Sequence, residues 1–198
     1  MNERASRNLE RIAVESLRKC VAKLTRISAG RWSVADAKVS LRSMDEAIAA
    51  APRGTSAGVY FDVTGELPFA SMIVFRPDDI EILSRGFLGF SFSKLPDLSQ
   101  AQELLLSELG NIILNALVRS LSGAMGRSFL PSVPKCVQGE AQFLLEALWT
   151  SLDRSRRHSL VAVTLDLECD GSVTRSEVFA VIPDEMENAL SGALCTGD

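Results

Sequence analysis

The sequence predicts an α+β fold built from two similar halves. Two observations support this prediction: a segment of the first half recurs in the second, and each half opens with a long amphipathic segment of helical spacing. With 198 residues, 46% of them apolar, the chain is long enough to bury a substantial core. We therefore expect one domain, residues 1–198, made of repeats at about 1–92 and 99–198.

The recurring segment pairs Gly65–Asp79 with Gly171–Glu185 without a gap. In this alignment the glycines coincide, as do Pro77 with Pro183 and the acidic residues after each proline. Each copy is typical of a turn, a strand of apolar and β-branched residues, and a helix that begins at the proline, with acidic residues that favour its dipole. A further apolar strand precedes each copy.

A long helix is expected at the start of each half. The apolar face of the first consists of Leu9, Ile12, Leu17, Val21, Leu24 and Ile27, and that of the second of Leu105, Leu109, Ile112, Ile113, Ala116, Leu117 and Leu121. Ser99 followed by Gln102 is the pattern of a capping box, which predicts that the second helix begins near Gln100. Gly110 lies inside this helix at a cost of about 1 kcal/mol relative to Ala. It leaves room for another backbone to approach.

Glu108 and Asn111 are the candidate site residues of the second helix. At positions i and i+3 they share one helical face, and Asn115 lies on the same polar stripe. A carboxylate beside a carboxamide can hold a cationic partner with one group and orient a water with the other. The pattern is short, and the solvent-facing side of an amphipathic helix also explains it.

The segment from Leu105 to Lys135 resembles the CheC/CheX/FliY family of chemotaxis phosphatases. The family motif is Glu, two residues, Asn, and then Pro after a fixed gap, and it is present as Glu108, Asn111 and Pro134. The family also has Asp or Ser four residues before the Glu, where this chain departs from the pattern with Leu104. The resemblance covers nearly the whole chain. It implies duplicated α-β-α-β-β-α halves that share a mainly antiparallel sheet, with two long helices on one face.

The function implied by this resemblance is hydrolysis of the aspartyl phosphate of a CheY-like response regulator. Asn111 would hold the attacking water, Glu108 would engage a lysine of the regulator, and Pro134 would shape the start of the neighbouring strand. Asn115 would lie at the rim of the site. The regulator would supply the phosphoryl group and a bound Mg²⁺, so no cofactor or metal is expected on this chain. A CheD-like protein is a second candidate partner.

A non-catalytic role is the alternative. The flagellar switch protein FliM contains a similar domain without the phosphatase pair, so this architecture also serves as an interaction module. Such a module would bind a response regulator or another signalling partner without hydrolysing its phosphate. The Glu-x-x-Asn pair favours the enzyme, and Leu104 favours the adaptor.

The two halves differ at the motif. An offset of ninety-seven residues relates Glu108 to Arg11, Asn111 to Val14 and Pro134 to Ala37. The first half therefore lacks all three motif residues, and we expect a single active site, in the second half. A slipped alignment of the first helix is the competing explanation. It does not restore a site, because the nearest carboxylate, Glu15, is followed three residues later by Arg18.

Composition and charge indicate a cytoplasmic protein. Neither a membrane-spanning segment nor a secretory signal is expected. The net charge of −4 gives no indication of a nucleic-acid ligand. The cysteines are Cys20, Cys136, Cys169 and Cys195; they lack Cys-x-x-Cys spacing, which favours reduced structural thiols over a zinc site.

Two segments are interpreted as loops. The basic cluster Arg154–His158 is expected between a helix and a strand, either as a solvated loop or as a docking site for an acidic partner. His158 is the only histidine, so an ordinary histidine-rich metal site is not expected. Ser91–Ser99 is expected to connect the halves over the surface.

Overall fold

The computed structural model describes residues 3–90, 99–150 and 157–192, which form six α-helices and seven β-strands. In chain order these are α1 (Glu3–Ile27), β1 (Trp32–Arg42), α2 (Met44–Ala50), β2 (Thr55–Gly65), β3 (Phe69–Phe75), α3 (Ile80–Leu88), α4 (Gln100–Met125), β4 (Phe129–Pro131), β5 (Lys135–Glu140), α5 (Ala141–Thr150), β6 (His158–Cys169), β7 (Ser172–Pro183) and α6 (Asp184–Gly192). A 3₁₀ turn, Pro77–Asp79, leads into α3 with proline in its first turn, as expected.

The strands form one sheet in which every pair of neighbours is antiparallel. The order across the sheet is β1-β6-β7-β3-β2-β4, and β5 also pairs with β2. The halves are interleaved, because β1 of the first half pairs with β6 of the second, and β4 and β5 of the second pair with β2 of the first. The prediction of duplicated halves sharing an antiparallel sheet is confirmed.

Helices cover both faces of the sheet. One apolar cluster contains the inner faces of α1 and α4, together with residues of α3 and α6, against the sheet. The other lies on the opposite face, under α2 and α5. The two long helices therefore share one face, as expected.

The offset of ninety-seven residues reproduces the packing of the long helices. Every buried residue of α1, from Ala5 to Leu24, corresponds at this offset to a buried residue of α4. Ala13, for example, corresponds to Gly110, and both are buried. A slip of even one residue would rotate this pattern by about 100° and destroy the match. The slipped alignment is thus excluded.

The ungapped alignment of the hairpin segments is wrong by one residue within the strands. It equates Ile73 with Phe179, but these side chains belong to the clusters on opposite faces of the sheet. Ile73 lies directly opposite Val178, and both belong to the cluster under α1 and α4. The glycines coincide because the β2–β3 loop is longer than the Asp170–Gly171 turn between β6 and β7.

Helix α4 begins and ends at well-defined caps. Ser99 and Gln102 form the predicted capping box, and Gly126 ends the helix in the left-handed conformation at φ +61°. Contrary to expectation, α4 is long and apolar enough to span a membrane by length and composition, the one such helix among the described residues. Half of its most apolar stretch is buried inside the fold.

The segments expected to be loops are described only in part. Residues 91–98 and 154–156 lie outside the described ranges, as does Cys195. His158 is not in a loop, because it is the first residue of β6 and lies opposite Pro183. Arg157 is exposed, and its guanidinium lies 3.6 Å from the carboxylate of Asp184.

Candidate functional site

The close approach of α4 to the sheet determines which of its faces is available. A Cβ added to Gly110 would lie 2.7 Å from Cβ of Val59 on β2 and 3.2 Å from Cγ2 of Ile73 on β3. Such contacts are shorter than side chains tolerate, so the helix can lie this near the sheet only with glycine here. With Gly110 facing the sheet, Glu108 and Asn111 lie on the outer part of the helix.

The Glu108 side chain is exposed and takes part in no salt bridge within the described part of the chain. Its carboxylate is accessible to a partner. One turn earlier on the same stripe, Leu104 is 66% exposed. The position at which the family has Asp or Ser therefore presents an apolar side chain to solvent, next to the candidate carboxylate.

Asn111 and Asn115 are hydrogen-bonded to each other. The Nδ2 of Asn115 donates both to Oδ1 of Asn111, at 2.5 Å, and to the backbone carbonyl of Asn111, at 2.9 Å. Both side chains are half-buried. Asparagines four residues apart on a helix are within reach of such a bond, so the sequence contained a signal for this contact. From the sequence alone, Asn115 was expected only at the rim of the candidate site.

Pro134 lies where the strand pairing with β2 is interrupted. Pro131 of β4 pairs with Val63, and Lys135 of β5 pairs with Tyr60, so between these pairs three residues on one side face two on the other. Proline has no N–H to donate to a sheet and is suited to such a break. Strand β5 begins directly after Pro134.

Ser132, which the sequence did not single out, holds this break against β2. Its backbone N–H donates to the carbonyl of Asp62, and its hydroxyl accepts from the Asp62 N–H, at 2.8 and 3.2 Å. Serine in a loop is too common to be recognised from one sequence.

Cys136 fixes the position of β5 along α4. Burial, followed by the negative charge of Glu103, raises the pKa of Cys136 to about 11, although a hydrogen bond with Ser107 opposes the shift. Cys136 therefore lies beside Ser107. Pro134 is two residues before Cys136, directly before the start of β5, and Asn111 is about one helical turn beyond Ser107.

The equivalent face of α1 has different chemistry. Arg11 and Arg18, the counterparts of Glu108 and Asn115, are exposed. Val14, the counterpart of Asn111, is half-buried. In β1 the register shifts by one residue between Val34 and Asp36, where the offset places the break between β4 and β5. The strand nevertheless continues through Ala37, the counterpart of Pro134.

The other described cysteines, Cys20 and Cys169, belong to α1 and to the end of β6. Cys20 and Cys169 are buried, and Cys20, Cys136 and Cys169 are free thiols. Burial raises the pKa of Cys20 to about 12 and, together with the neighbouring Asp170, that of Cys169 to about 11. These thiols are protonated at neutral pH, in agreement with a structural role.

The interleaved sheet with α1 and α4 on one face is the fold of CheC-, CheX- and FliY-type chemotaxis proteins. The structure is similar to FliY of Thermotoga maritima, with a TM-score of 0.71 and 14% identity over 97% of this chain and 96% of that one. It is also similar to a chain of the FliG–FliM complex from H. pylori (TM-score 0.65, 14% identity, 96% and 100% covered) and to CheX from Desulfovibrio desulfuricans (0.53, 13%, 87% and 99%). No family model and no curated protein matches the sequence. At these identities, the similarity establishes the fold alone.

Proposed function

We propose that this protein is a phosphatase that hydrolyses the aspartyl phosphate of a CheY-like response regulator at a single site on α4. The observation that carries the proposal is the pairing of an accessible carboxylate, Glu108, with a carboxamide, Asn111, whose orientation is fixed by Asn115. The CheC-like fold supports it, because CheX and FliY are among the similar structures.

The reaction needs positioning more than covalent chemistry. The oxygen of a water bonds to phosphorus while the bond from phosphorus to the aspartyl oxygen breaks. The regulator's aspartate leaves as a carboxylate, and both protons of the water remain on the released phosphate, as H₂PO₄⁻. Because phosphoryl transfer depends on alignment and electrostatic stabilisation, this chain needs to contribute no nucleophile, only groups that position the water and the regulator.

Each site residue has a separate role in this proposal. Asn111 holds the water in line with the phosphorus, and Glu108 forms a charge-assisted contact with a lysine of the regulator, which sets the register of α4 in the complex. Pro134 restricts the backbone conformation of the segment between β4 and β5. The regulator, a cytoplasmic protein, brings its own Mg²⁺.

A non-catalytic interaction module is the second candidate. Leu104 favours it, because an exposed leucine adds apolar contact area without contributing to hydrolysis. The similarity to FliM structures, one in a complex with FliG and one in a complex with SpeE, also supports a binding role for this fold.

A phosphate-release assay distinguishes the two functions. CheY-like regulators are phosphorylated with acetyl phosphate, freed of excess donor, and followed with and without the purified protein. In parallel, binding is measured with beryllofluoride-charged regulators. Accelerated phosphate release supports the phosphatase. Binding without acceleration across the set supports the adaptor and contradicts the proposed enzyme.

A further inference from the structure

Asn115 is placed to control the orientation of the Asn111 side chain. We infer that Asn115 is a positioning residue that holds the Asn111 carboxamide with its N–H donors towards the bound partner, so that Asn111 acts as a hydrogen-bond donor at the reacting group. The catalytic part of this inference rests on the proposed function. The orientation itself is a property of the free protein.

The orientation follows from the backbone carbonyl of Asn111, which can only accept a hydrogen bond. Carboxamide oxygen and nitrogen have similar shapes, and their assignment normally depends on the surrounding hydrogen bonds. Here one end of Asn115 lies 2.9 Å from the backbone carbonyl oxygen of Asn111, which only accepts, so that end is the Nδ2 group. The same Nδ2 contacts the Asn111 side chain at 2.5 Å, and the atom it meets must also be an acceptor. That atom is Oδ1.

With Oδ1 of Asn111 turned towards Asn115, its Nδ2 forms the other end of the carboxamide. Within the described ranges no residue accepts a hydrogen bond from this Nδ2. Its two protons are therefore available to donate to the oxygen of the attacking water or to the phosphoryl oxygens. Donors that are already oriented need no reorganisation during the reaction, which is the main source of electrostatic catalysis.

Loss of the bond is expected to affect turnover rather than binding. Without Asn115, the Asn111 carboxamide samples both orientations and several rotamers, and only a fraction of molecules present the donors correctly. Because the contacts that bind the regulator are unchanged, KM should stay near the parent value while kcat falls. A residue with a purely structural role would instead lower stability and alter both parameters.

Two variants of Asn115 separate orientation from packing. Asn115→Leu has a similar size and removes both hydrogen bonds, so we expect kcat to fall about tenfold. Asn115→Asp has nearly the same shape but can only accept at its ionised carboxylate, so it favours the reversed Asn111 carboxamide. We expect it to reduce kcat more than Leu does, by roughly a hundredfold. Arg119→Gln on the same helix is the control: it changes the net charge by the same amount as Asn115→Asp and should keep the parent kcat.

The orientation is also measurable without a regulator. In the free protein, both Nδ2 protons of Asn115 should exchange with water more slowly than those of exposed Asn188 on α6, as followed by ¹H–¹⁵N spectra of the side-chain amides. The Nδ2 protons of Asn111 should exchange faster than those of Asn115. Equal rates for Asn115 and Asn188 would overturn the inferred orientation.

The kinetic outcomes distinguish the inference from the proposed function. A folded Asn115→Asp protein with parent kcat, beside an inactive Asn111→Ala protein, would refute the positioning role and leave the phosphatase standing. Parent activity in Asn111→Ala would refute the proposed site itself. The exchange rates of the side-chain amide protons would then be the only test of the orientation of the Asn111 carboxamide. A fall in kcat for both Asn115 variants at constant KM, with slow exchange of the Asn115 protons, supports the inference.

Discussion

Helices α1 and α4 occupy equivalent places in the two halves, but they resemble each other only on their buried sides. The buried positions of α1 all have buried counterparts on α4, whereas Arg11, Val14 and Arg18 on the outer face of α1 differ in chemistry from their counterparts on α4. Packing against a shared sheet constrains the inner face of both helices. The outer face is free of that constraint, and its chemistry is what assigns the proposed site to the second half.

The helices also differ in the residue that faces the sheet at equivalent positions. α4 has Gly110 where α1 has Ala13, and Gly110 leaves no space for a methyl group above Val59. Ala13 instead lines an apolar cavity of about 40 Å³, which is also lined by residues of α4, α6 and the sheet. The close contact at Gly110 suits the proposed function, in which outer residues of α4 would have to be held in place.

The largest expected effect is that of Asn111→Ala. Removing the carboxamide should lower dephosphorylation of the regulator by roughly a hundredfold or more, because an unpositioned water loses most of its proximity advantage. Affinity for a beryllofluoride-charged regulator should change little. Single-turnover phosphate release measures the first and titration the second.

Asn188→Ala makes the same substitution at an exposed position on α6 and serves as the control. It should retain the parent rate. Hydrolysis at the parent rate by a folded Asn111→Ala protein would show that Asn111 does not orient the water.

Glu108→Ala should affect both turnover and binding. Its carboxylate is exposed and, in the proposed complex, meets a lysine; a hydrogen bond to a charged group contributes about 1.5 kcal/mol, so affinity should fall about tenfold along with the loss of turnover. Glu146→Ala on α5, on the opposite face of the sheet, is the matched control. Unchanged affinity in Glu108→Ala would exclude the contact with the lysine.

Prediction from the sequence was most accurate where local chemistry decides the structure. Ser99 and Gln102 indicated the start of α4 because a capping box depends only on residues three apart, and the offset between the long helices followed from their periodicity. The phase of the central strands was predicted wrongly, because the turn at Gly171 is shorter than the β2–β3 loop. In addition, Pro183 is the last residue of β7, whereas Pro77 follows β3 and opens a 3₁₀ turn.

The candidate site was predictable in its residue types but not in its geometry. Glu108 and Asn111 were expected on one face of α4 because an i, i+3 pair needs only helical spacing, and both lie on the outer part of the helix. The position of Pro134 at the break between β4 and β5 depends on the pairing of both strands with β2 of the other half, a long-range contact with no local signal. The contact of Ser132 with Asp62 is of the same kind.

Gly110→Ala tests the close approach of α4 to the sheet. The added methyl group would lie 2.7 Å from Val59, and this overpacking should lower the free energy of unfolding by about 1–3 kcal/mol. The higher helix propensity of Ala, worth about 1 kcal/mol, should offset only part of that loss. Gly123→Ala on the same helix has nothing within 4 Å of the added atom and should be neutral or stabilising. Urea unfolding compares the two. Equal stabilisation of both variants would show that α4 has room to spare above β2.

The smallest expected effect belongs to the first half. Replacing Arg11 and Val14 together by Ala should leave phosphatase activity at the parent level, because this half lacks the carboxylate, the carboxamide and the proline of the motif. Stability should change by no more than about 1 kcal/mol, since Arg11 is exposed and Ala has the highest helix propensity, which compensates for packing lost at Val14.

This null result is informative only if the double variant is folded, so its urea transition is measured alongside the phosphate-release rate. A folded Arg11→Ala/Val14→Ala protein that has lost activity would refute the single-site proposal and place a required surface on α1. The reverse exchange, Arg11→Glu with Val14→Asn in an Asn111→Ala background, is expected to stay inactive. The first half still has Ala37 in a continuous strand where the second has Pro134 at a break, and the position of Asn115 is occupied by Arg18, which has no carboxamide to fix the orientation of a new asparagine.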